Sequence, residues 1–335
     1  MVWLKLLVCV AIILFAGTKL AFYGDAIAEK TRLGRLWIGL VLISIVTTMP
    51  ELVTSVSSAA LVDSPDQALG NLFGSCMFNL TTLAVIDVIC VAGPVLSQVS
   101  PRHALSGGVG IVLLGVAIAG ILAADTVFGE AVGWVGIPSF VILVLYLGAT
   151  WLIFRRERRL HKHPAAPSPG EQYEHISTRT AWVRASLASI AIVGAGIWLA
   201  FIGDEIAAAT GWGSSFVGSL FLAITTSLPE LTLVVAAVRL GAVDMAVANI
   251  LGANMLDILV ITWTDVAYTE DPLLSVVSSS QVITAAVAIA MTLLAIVAIR
   301  QRPERKTLKV MNWYAPVLVA LYIFGAWASF AQPWT

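Results

Sequence analysis

The chain has 335 residues, of which 59% are hydrophobic and 12% charged, and its formal net charge is −1. Soluble domains carry about a quarter charged residues, so this composition excludes an ordinary water-soluble domain. It also excludes a nucleic-acid binder, because Lys and Arg fall in short segments between apolar runs. What remains is a polytopic membrane protein. Cys9, Cys76 and Cys90 lie in apolar stretches at spacings that give neither a disulfide framework nor a metal knuckle.

A helix needs about 20 apolar residues to cross a bilayer. Ten runs of that kind follow one another, at about 2–22, 36–60, 68–92, 105–124, 132–154, 182–203, 215–239, 246–266, 279–299 and 311–331. All are expected to be helical, since lipid offers no partner to an open backbone. The connecting segments alternate. One set is basic: 23–35, 93–104, 155–181, the boundary at Arg239, and 300–310. The other set holds Asp63 and Asp66, Asp125 and Glu130, Asp204 and Glu205, and Glu270 and Asp271, with no Lys or Arg. Basic loops stay cytoplasmic, which puts both termini outside an inner (plasma) membrane, with Lys5 the one dissenting charge. The Pro- and Ser-containing segment 155–181 reads as a cytoplasmic linker between a first unit, 1–154, and a second, 182–335.

The two units repeat. Residues 22–52 align without a gap on 201–231 at an offset of 179, pairing Asp25 with Asp204, Pro50 with Pro229 and Glu51 with Glu230. Residues 66–80 then match 244–258 at an offset of 178, pairing Asp66 with Asp244, Asn71 with Asn249 and Asn79 with Asp257; Asp87 pairs with Asp265. The repeat makes 2–22 a true span and not a cleaved signal. Five spans per unit is an odd number, so the second unit enters the membrane from the opposite side. The predicted fold is therefore an all-α membrane protein of ten spans in two inverted five-helix repeats. Interrupted segments at matching positions of such repeats point to a transporter's binding site.

Those interruptions carry the chemistry. Pro50 and Pro229 lack an N–H and clash with the carbonyls of Val46 and Thr225, leaving backbone oxygens in need of a partner. Five acids fall inside spans, namely Glu51, Asp87, Glu230, Asp257 and Asp265, and no Lys or Arg stands mid-span to balance them. Acids within spans are functional by default, and carboxylates that meet in the membrane need a cation or protons to neutralise them. Hydroxyls and amides accompany them: Thr47, Thr48, Ser75, Asn79, Thr226 and Ser227. An all-oxygen set without Cys or His ligands suits hard cations such as Ca²⁺ or Na⁺, not zinc or copper. A lone protonated Glu bonded to a carbonyl is the bland alternative. Two at equivalent positions, each after a proline and a pair of hydroxyl residues, weigh against it. Gly70, Gly74 and Gly252 read as close-packing residues. Asp87 and Asp265 read as span-end acids, solvated or capping, with ion entry as the alternative. The acids of the outer loops are explained by topology alone.

At "VTTMPE" (46–51), "TTSLPE" (225–230), "GSCMFN" (74–79) and "GANMLD" (252–257) the chain resembles the cation/calcium exchanger superfamily, most of all its prokaryotic sodium/calcium exchangers. Its two alpha motifs would span 44–80 and 223–258. The resemblance implies Glu51 and Glu230 as central Ca²⁺ ligands, with Thr47 and Thr226 adding oxygens. It implies Thr48, Ser75 and Ser227 at flanking Na⁺ sites, and Asn79 and Asp257 lining the middle. It further implies overlapping Na⁺ and Ca²⁺ sites exposed alternately as spans 1 and 6 slide. Val46 and Thr225 stand where the motif has glycine, Cys76 where it has Asn, and Ala253 where it has a Ser that contributes to a Na⁺ site.

The expected function is Na⁺/Ca²⁺ antiport, with Ca²⁺/H⁺ antiport as the alternative. Ca²⁺ and Na⁺ would be transported ligands, no separate cofactor is implied, the bilayer is the other partner, and a monomer is the assembly expected. No Ser/His or zinc constellation supports an enzyme such as an intramembrane hydrolase. A non-transporting cation sensor would be told apart by flux.

Overall fold

The computed structural model describes residues 1–30, 46–90, 93–124, 126, 130–160, 176–303, 305–308 and 310–331. The first part of the second span, Arg32, Arg35, Asp125 and most of the 155–181 linker lie outside the described residues. The long helices are α1 (Val2–Lys30), α2 (Met49–Ala60), α3 (Pro65–Ile89), α4 (His103–Leu122), α5 (Ile137–Leu160), α6 (Thr178–Thr210), α7 (Ser214–Arg239), α8 (Val243–Ala267), α9 (Ser280–Gln301) and α10 (Tyr314–Ala331). Among the described residues nine of these, all but α2, are long and apolar enough to cross a membrane. Helices α1 and α6 outrun their predicted spans, 2–22 and 182–203, at both ends or one. Their apolar runs mark only the lipid-matched part of a longer rod, and Ser177 caps the extension of α6 by accepting from the Thr180 N–H at 3.0 Å.

Helices α3 and α8 are the most buried of the spans, each 72% buried over its most apolar stretch. They sit at the centre, packed on each other and on α2 and α7. Low amphipathicity is what such a position requires, because a helix surrounded by protein has no lipid face. Helix α7 contains a π-turn at Gly218–Leu222, and there its backbone meets that of α3. A Cβ on Gly70 would lie 2.6 Å from the Ser215 carbonyl oxygen, and one on Gly74 or Gly218 would strike the backbone of Ser219 or Gln67. The predicted close-packing glycines of α3 are thus backbone-on-backbone contacts. Helices α1 and α6 pack along each other. Each also rests on a motif helix through a glycine: a Cβ on Gly17 would come 2.5 Å from Pro229 Cγ, and one on Gly196 would come 2.9 Å from Val53 Cγ1. Lys5, the dissenting charge of α1, is neutralised at its Nζ by both oxygens of Glu205 on α6 at 2.7 Å.

Four aspartates tie the central helices to their neighbours, in two matched pairs. At the N-terminal ends, Asp66 Oδ1 accepts from the Ser278 N–H at 2.9 Å and from Gln281 Nε2 at 3.2 Å. Its counterpart Asp244 accepts from the Ser100 N–H at 2.6 Å and has His103 Nε2 at 3.2 Å. Ser100 and His103 stand 178 residues before Ser278 and Gln281. At the C-terminal ends, Asp87 Oδ1 accepts from the Val95 N–H at 2.9 Å and from the Tyr314 hydroxyl, while Oδ2 accepts from the Asn312 N–H at 2.6 Å. Asp265 Oδ1 accepts from the Leu273 N–H at 2.7 Å, and Oδ2 accepts from the Gly136 N–H at 2.9 Å and Ser139 Oγ at 2.5 Å. Each of these two acids bonds the N–H eight residues on and the start of the last helix of one unit, α10 for Asp87 and α5 for Asp265.

The expectation that topology alone explains the outer-loop acids is therefore corrected for Asp66, which holds α9. Asp87 and Asp265 are buried, not solvated, and their carboxylates hold the N–H groups of the segments that follow and of the starts of α10 and α5. One end carries an addition: Lys306 Nζ donates to the carbonyls of Asp87, Cys90 and Val310 at 2.5, 2.8 and 2.9 Å, as a cation suits the carbonyl end of α3.

Removing such a carboxylate leaves several buried donors without acceptors, at a cost of about 1–3 kcal/mol for each. Asp265→Ala is expected to lower the thermal midpoint of the detergent-solubilised protein clearly, and Asp265→Asn, which keeps one acceptor oxygen, to lower it less. Equal midpoints for the wild type and Asp265→Ala would remove the clasp from the account.

Candidate functional site

The two Pro-Glu motifs meet the backbone differently. Thr48 interrupts the helix before α2 with φ −81° and ψ 0°, and Pro50 follows inside the first turn, where its missing N–H costs nothing. Pro229 instead lies within the continuous helix 223–239. The expectation of two equal breaks holds at Pro50 only. At Pro229 the helix continues through the missing N–H, and in the turn before it the Thr225 hydroxyl donates back to the Phe221 carbonyl at 2.6 Å.

All nine residues of the predicted oxygen set are buried: Thr47, Thr48, Glu51, Ser75, Asn79, Thr226, Ser227, Glu230 and Asp257. Most are joined by direct contacts across the two units. Ser227 Oγ donates to Glu51 Oε1 at 3.0 Å, and Thr226 also bonds the Glu51 carboxylate. In the reciprocal arrangement, Thr47 bonds Glu230. Thr226 Oγ1 donates to Asn71 Oδ1 at 3.2 Å and lies 3.5 Å from Ser75 Oγ. Asn79 Nδ2 donates to Asp257 Oδ2 at 3.4 Å. Glu51, Glu230 and Asp257 are near enough for their charges to act on one another. Thr48 is buried at the helix break without a hydrogen-bond partner among the described residues.

Acceptors are left over here. Glu51 Oε2, Glu230 Oε2 and Asn254 Oδ1 are all buried and find no hydrogen-bond partner among the described residues, and the Thr48 hydroxyl is likewise unpartnered. Neither Glu forms an ion pair with a described Lys or Arg. Buried oxygens without donors are costly, and a cation is the species that turns such a surplus into ligands. Among the described residues no three Asp, Glu, His or Cys side chains gather closely enough to hold one metal ion by themselves. Hydroxyl, amide and carbonyl oxygens would have to complete a shell around the two Glu, which suits a hard ion with many oxygen ligands.

The sequence reading missed several members. Asn71 accepts from Thr226 and its Nδ2 donates to Ser55 Oγ at 2.9 Å. Asn254 Nδ2 donates to the Cys76 carbonyl at 3.1 Å, and the Cys76 thiol points back at the Asn254 carbonyl at 3.7 Å and at Asp257 Oδ2 at 3.9 Å. Cys76 and Asn254 are repeat equivalents, so the alignment already held the signal. Ala253, the equivalent of Ser75, is buried and adds no side-chain oxygen.

The family described as sodium/calcium exchanger protein matches residues 1–155 and 180–331. Inner membrane protein YrbG of Escherichia coli K12 is 26% identical over 262 residues, 76% of each chain. The putative antiporter CaxA of Alkalimonas amylolytica is 26% identical over 266 residues, 76% of this chain and 77% of its own. Among solved structures, the H⁺/Ca²⁺ exchanger CAX superposes with a TM-score of 0.74 at 14% identity, covering 98% of this chain and 85% of its own. The sodium-calcium exchanger NCX_Mj superposes with a TM-score of 0.62 at 22% identity, covering 99% of this chain and all of the other.

Because Gly74 holds α3, with Ser75 and Asn79, against the backbone of α7, adding one methyl there is expected to shift both. Gly74→Ala should cost about 1–3 kcal/mol by overpacking and weaken Ca²⁺ binding in calorimetry. Gly194→Ala on α6, where a Cβ meets nothing within 4 Å, should do neither.

Proposed function

The chain belongs to the sodium/calcium exchanger protein family, and we propose that it is a secondary cation antiporter that moves Ca²⁺ through a site between Glu51 and Glu230. One observation carries this reading. Two acids, 1% and 2% exposed, stand among buried oxygens that lack donors, and each is bonded by a hydroxyl from the other unit. The remaining predicted ligands take the roles expected of them: Thr47 and Thr226 beside the Ca²⁺ position, Thr48, Ser75 and Ser227 at flanking Na⁺ positions, Asn79 and Asp257 in the middle. When Ca²⁺ leaves, two carboxylates in a low-dielectric site repel each other until Na⁺ or H⁺ arrives. That repulsion makes the two loads exclusive, which is the requirement for exchange.

The architecture proposed for this cycle is ten spans in two inverted units, 1–154 and 182–335, joined by the cytoplasmic linker 155–181, with both termini outside. Support comes from the matched aspartate contacts, which recur at the repeat offset, and from α2, whose preceding residues supply the length of a tenth span. Alternate exposure would come from α1 and α6 moving as a pair across α2 and α7. Na⁺ is the proposed counter-ion, on the strength of the hydroxyls flanking Glu51 and Glu230. H⁺ is the second reading, favoured by Ala253, which withholds an oxygen from one flank.

Purified protein in liposomes decides between them. An imposed Na⁺ gradient is expected to drive Ca²⁺ flux in the absence of a pH gradient; flux driven by the pH gradient alone would transfer the coupling to H⁺. Glu51→Gln and Glu230→Gln should each weaken Ca²⁺ binding about 100-fold or more, the loss of a buried charge contact of about 3 kcal/mol. Retained transport by a folded Glu51→Gln protein would overturn the site.

A further inference from the structure

A second site opens away from the acids. Between α4, α5 and the end of α9 lies a half-open cavity of about 690 Å³. Its mouth carries Arg102 just before α4, Arg156 near the end of α5 and Arg300 at the end of α9. All three are exposed, and none forms a salt bridge with the described residues. Its floor is apolar and includes Val109, Val112 and Leu145, of which Val112 is 54% and Leu145 37% exposed. No Asp or Glu lines it.

We propose that this cavity is a binding site for an anionic glycerophospholipid, with its phosphate among the three guanidinium groups and an acyl chain along the α4–α5 groove. Three basic side chains from separate segments meet at a cavity that no described Asp or Glu lines, the nearby Asp244 being already engaged by the Ser100 N–H and His103, and guanidinium groups match phosphate oxygens with paired donors. Topology would scatter arginines along a membrane face, but it does not gather three around one cavity. A soluble anion would use the arginines and leave the groove idle. A zwitterionic lipid would use the groove and bring its own cation to the mouth. Only an anionic lipid uses both features, as basic pockets between spans do. The loop charges put the mouth in the cytoplasmic leaflet. This assignment does not depend on the Ca²⁺ reading.

The test uses the full chain in a neutral detergent, titrated with dioleoyl phosphatidylglycerol, dioleoyl phosphatidylcholine or glycerol phosphate, with bound lipid counted by native mass spectrometry. Phosphatidylglycerol is expected to be retained over phosphatidylcholine, and glycerol phosphate not to displace it. Each neutralised arginine should weaken its binding about fivefold, so Arg156→Gln with Arg300→Gln should weaken it about 25-fold and leave phosphatidylcholine unaffected. Val112→Trp, on an exposed face, fills the groove with the charges intact and should also lower retention, so the proposal is tested even if the double variant fails to fold. Equal retention of the two lipids, displacement by glycerol phosphate, or unchanged binding in Val112→Trp would each overturn it. So would a doubled particle mass that the double variant abolishes, since a second copy would then occupy the groove.

Discussion

Two carboxylates buried beside each other, with no described basic side chain to balance them, set the conditions under which the rest of the molecule folds. A charge in the membrane interior is costly, and like charges in one site raise that cost. The surrounding structure does not cancel the charge. Ser227, Thr226 and Thr47 each satisfy part of a carboxylate from across the repeat, while one oxygen of each Glu keeps no described partner. A protein built only for stability would have placed an arginine or a leucine there. The deficit persists because the frame around it is stiff: α3 and α7 touch backbone to backbone, and no rearrangement of side chains can close the gap.

That stiffness has its own electrostatic basis. The four aspartates at the ends of α3 and α8 each accept from a backbone N–H and from side-chain donors. Asp87 and Asp265 are the reverse of Glu51 and Glu230, with donors on both of their oxygens. Acids of one chemical type thus serve two purposes on adjacent helices, divided by how many donors each meets. The contrast also distinguishes the two ends of the protein. Lys306 reinforces the Asp87 clasp and bonds three carbonyls around it, whereas Asp265 holds the loop after α8 with hydrogen bonds from a serine and two N–H groups.

Much of the site was legible in the sequence because its residues are expensive where they stand. Glu51, Glu230 and Asp257 announce themselves in apolar runs, and the repeat offset joins them. What distant segments bring to them was not legible: Gly136, Asn312 and Tyr314 carry no mark that they meet aspartates. Asn71, Cys76 and Asn254 lay in the aligned blocks and could have been found by asking which equivalents face each other. Proline was the misleading signal. The same residue follows a break at Pro50 and is carried through within a helix at Pro229, so the ring itself does not decide the outcome. Helix lengths were underestimated for α1 and α6, where hydropathy ends before hydrogen bonding does.

Gly17 and Gly196 lie at the repeat offset of 179, one beneath the ring of Pro229 and the other beneath Val53. Helices normally interlock, with ridges of side chains seated in grooves, and translation then lifts each ridge over the next. At these two crossings one partner has no ridge. The contact is a smooth bearing, set at corresponding points in both units and close to both acids. Under the proposed movement of α1 and α6 these two crossings would be the sliding face, within a few turns of the place where α3 meets α7 backbone to backbone.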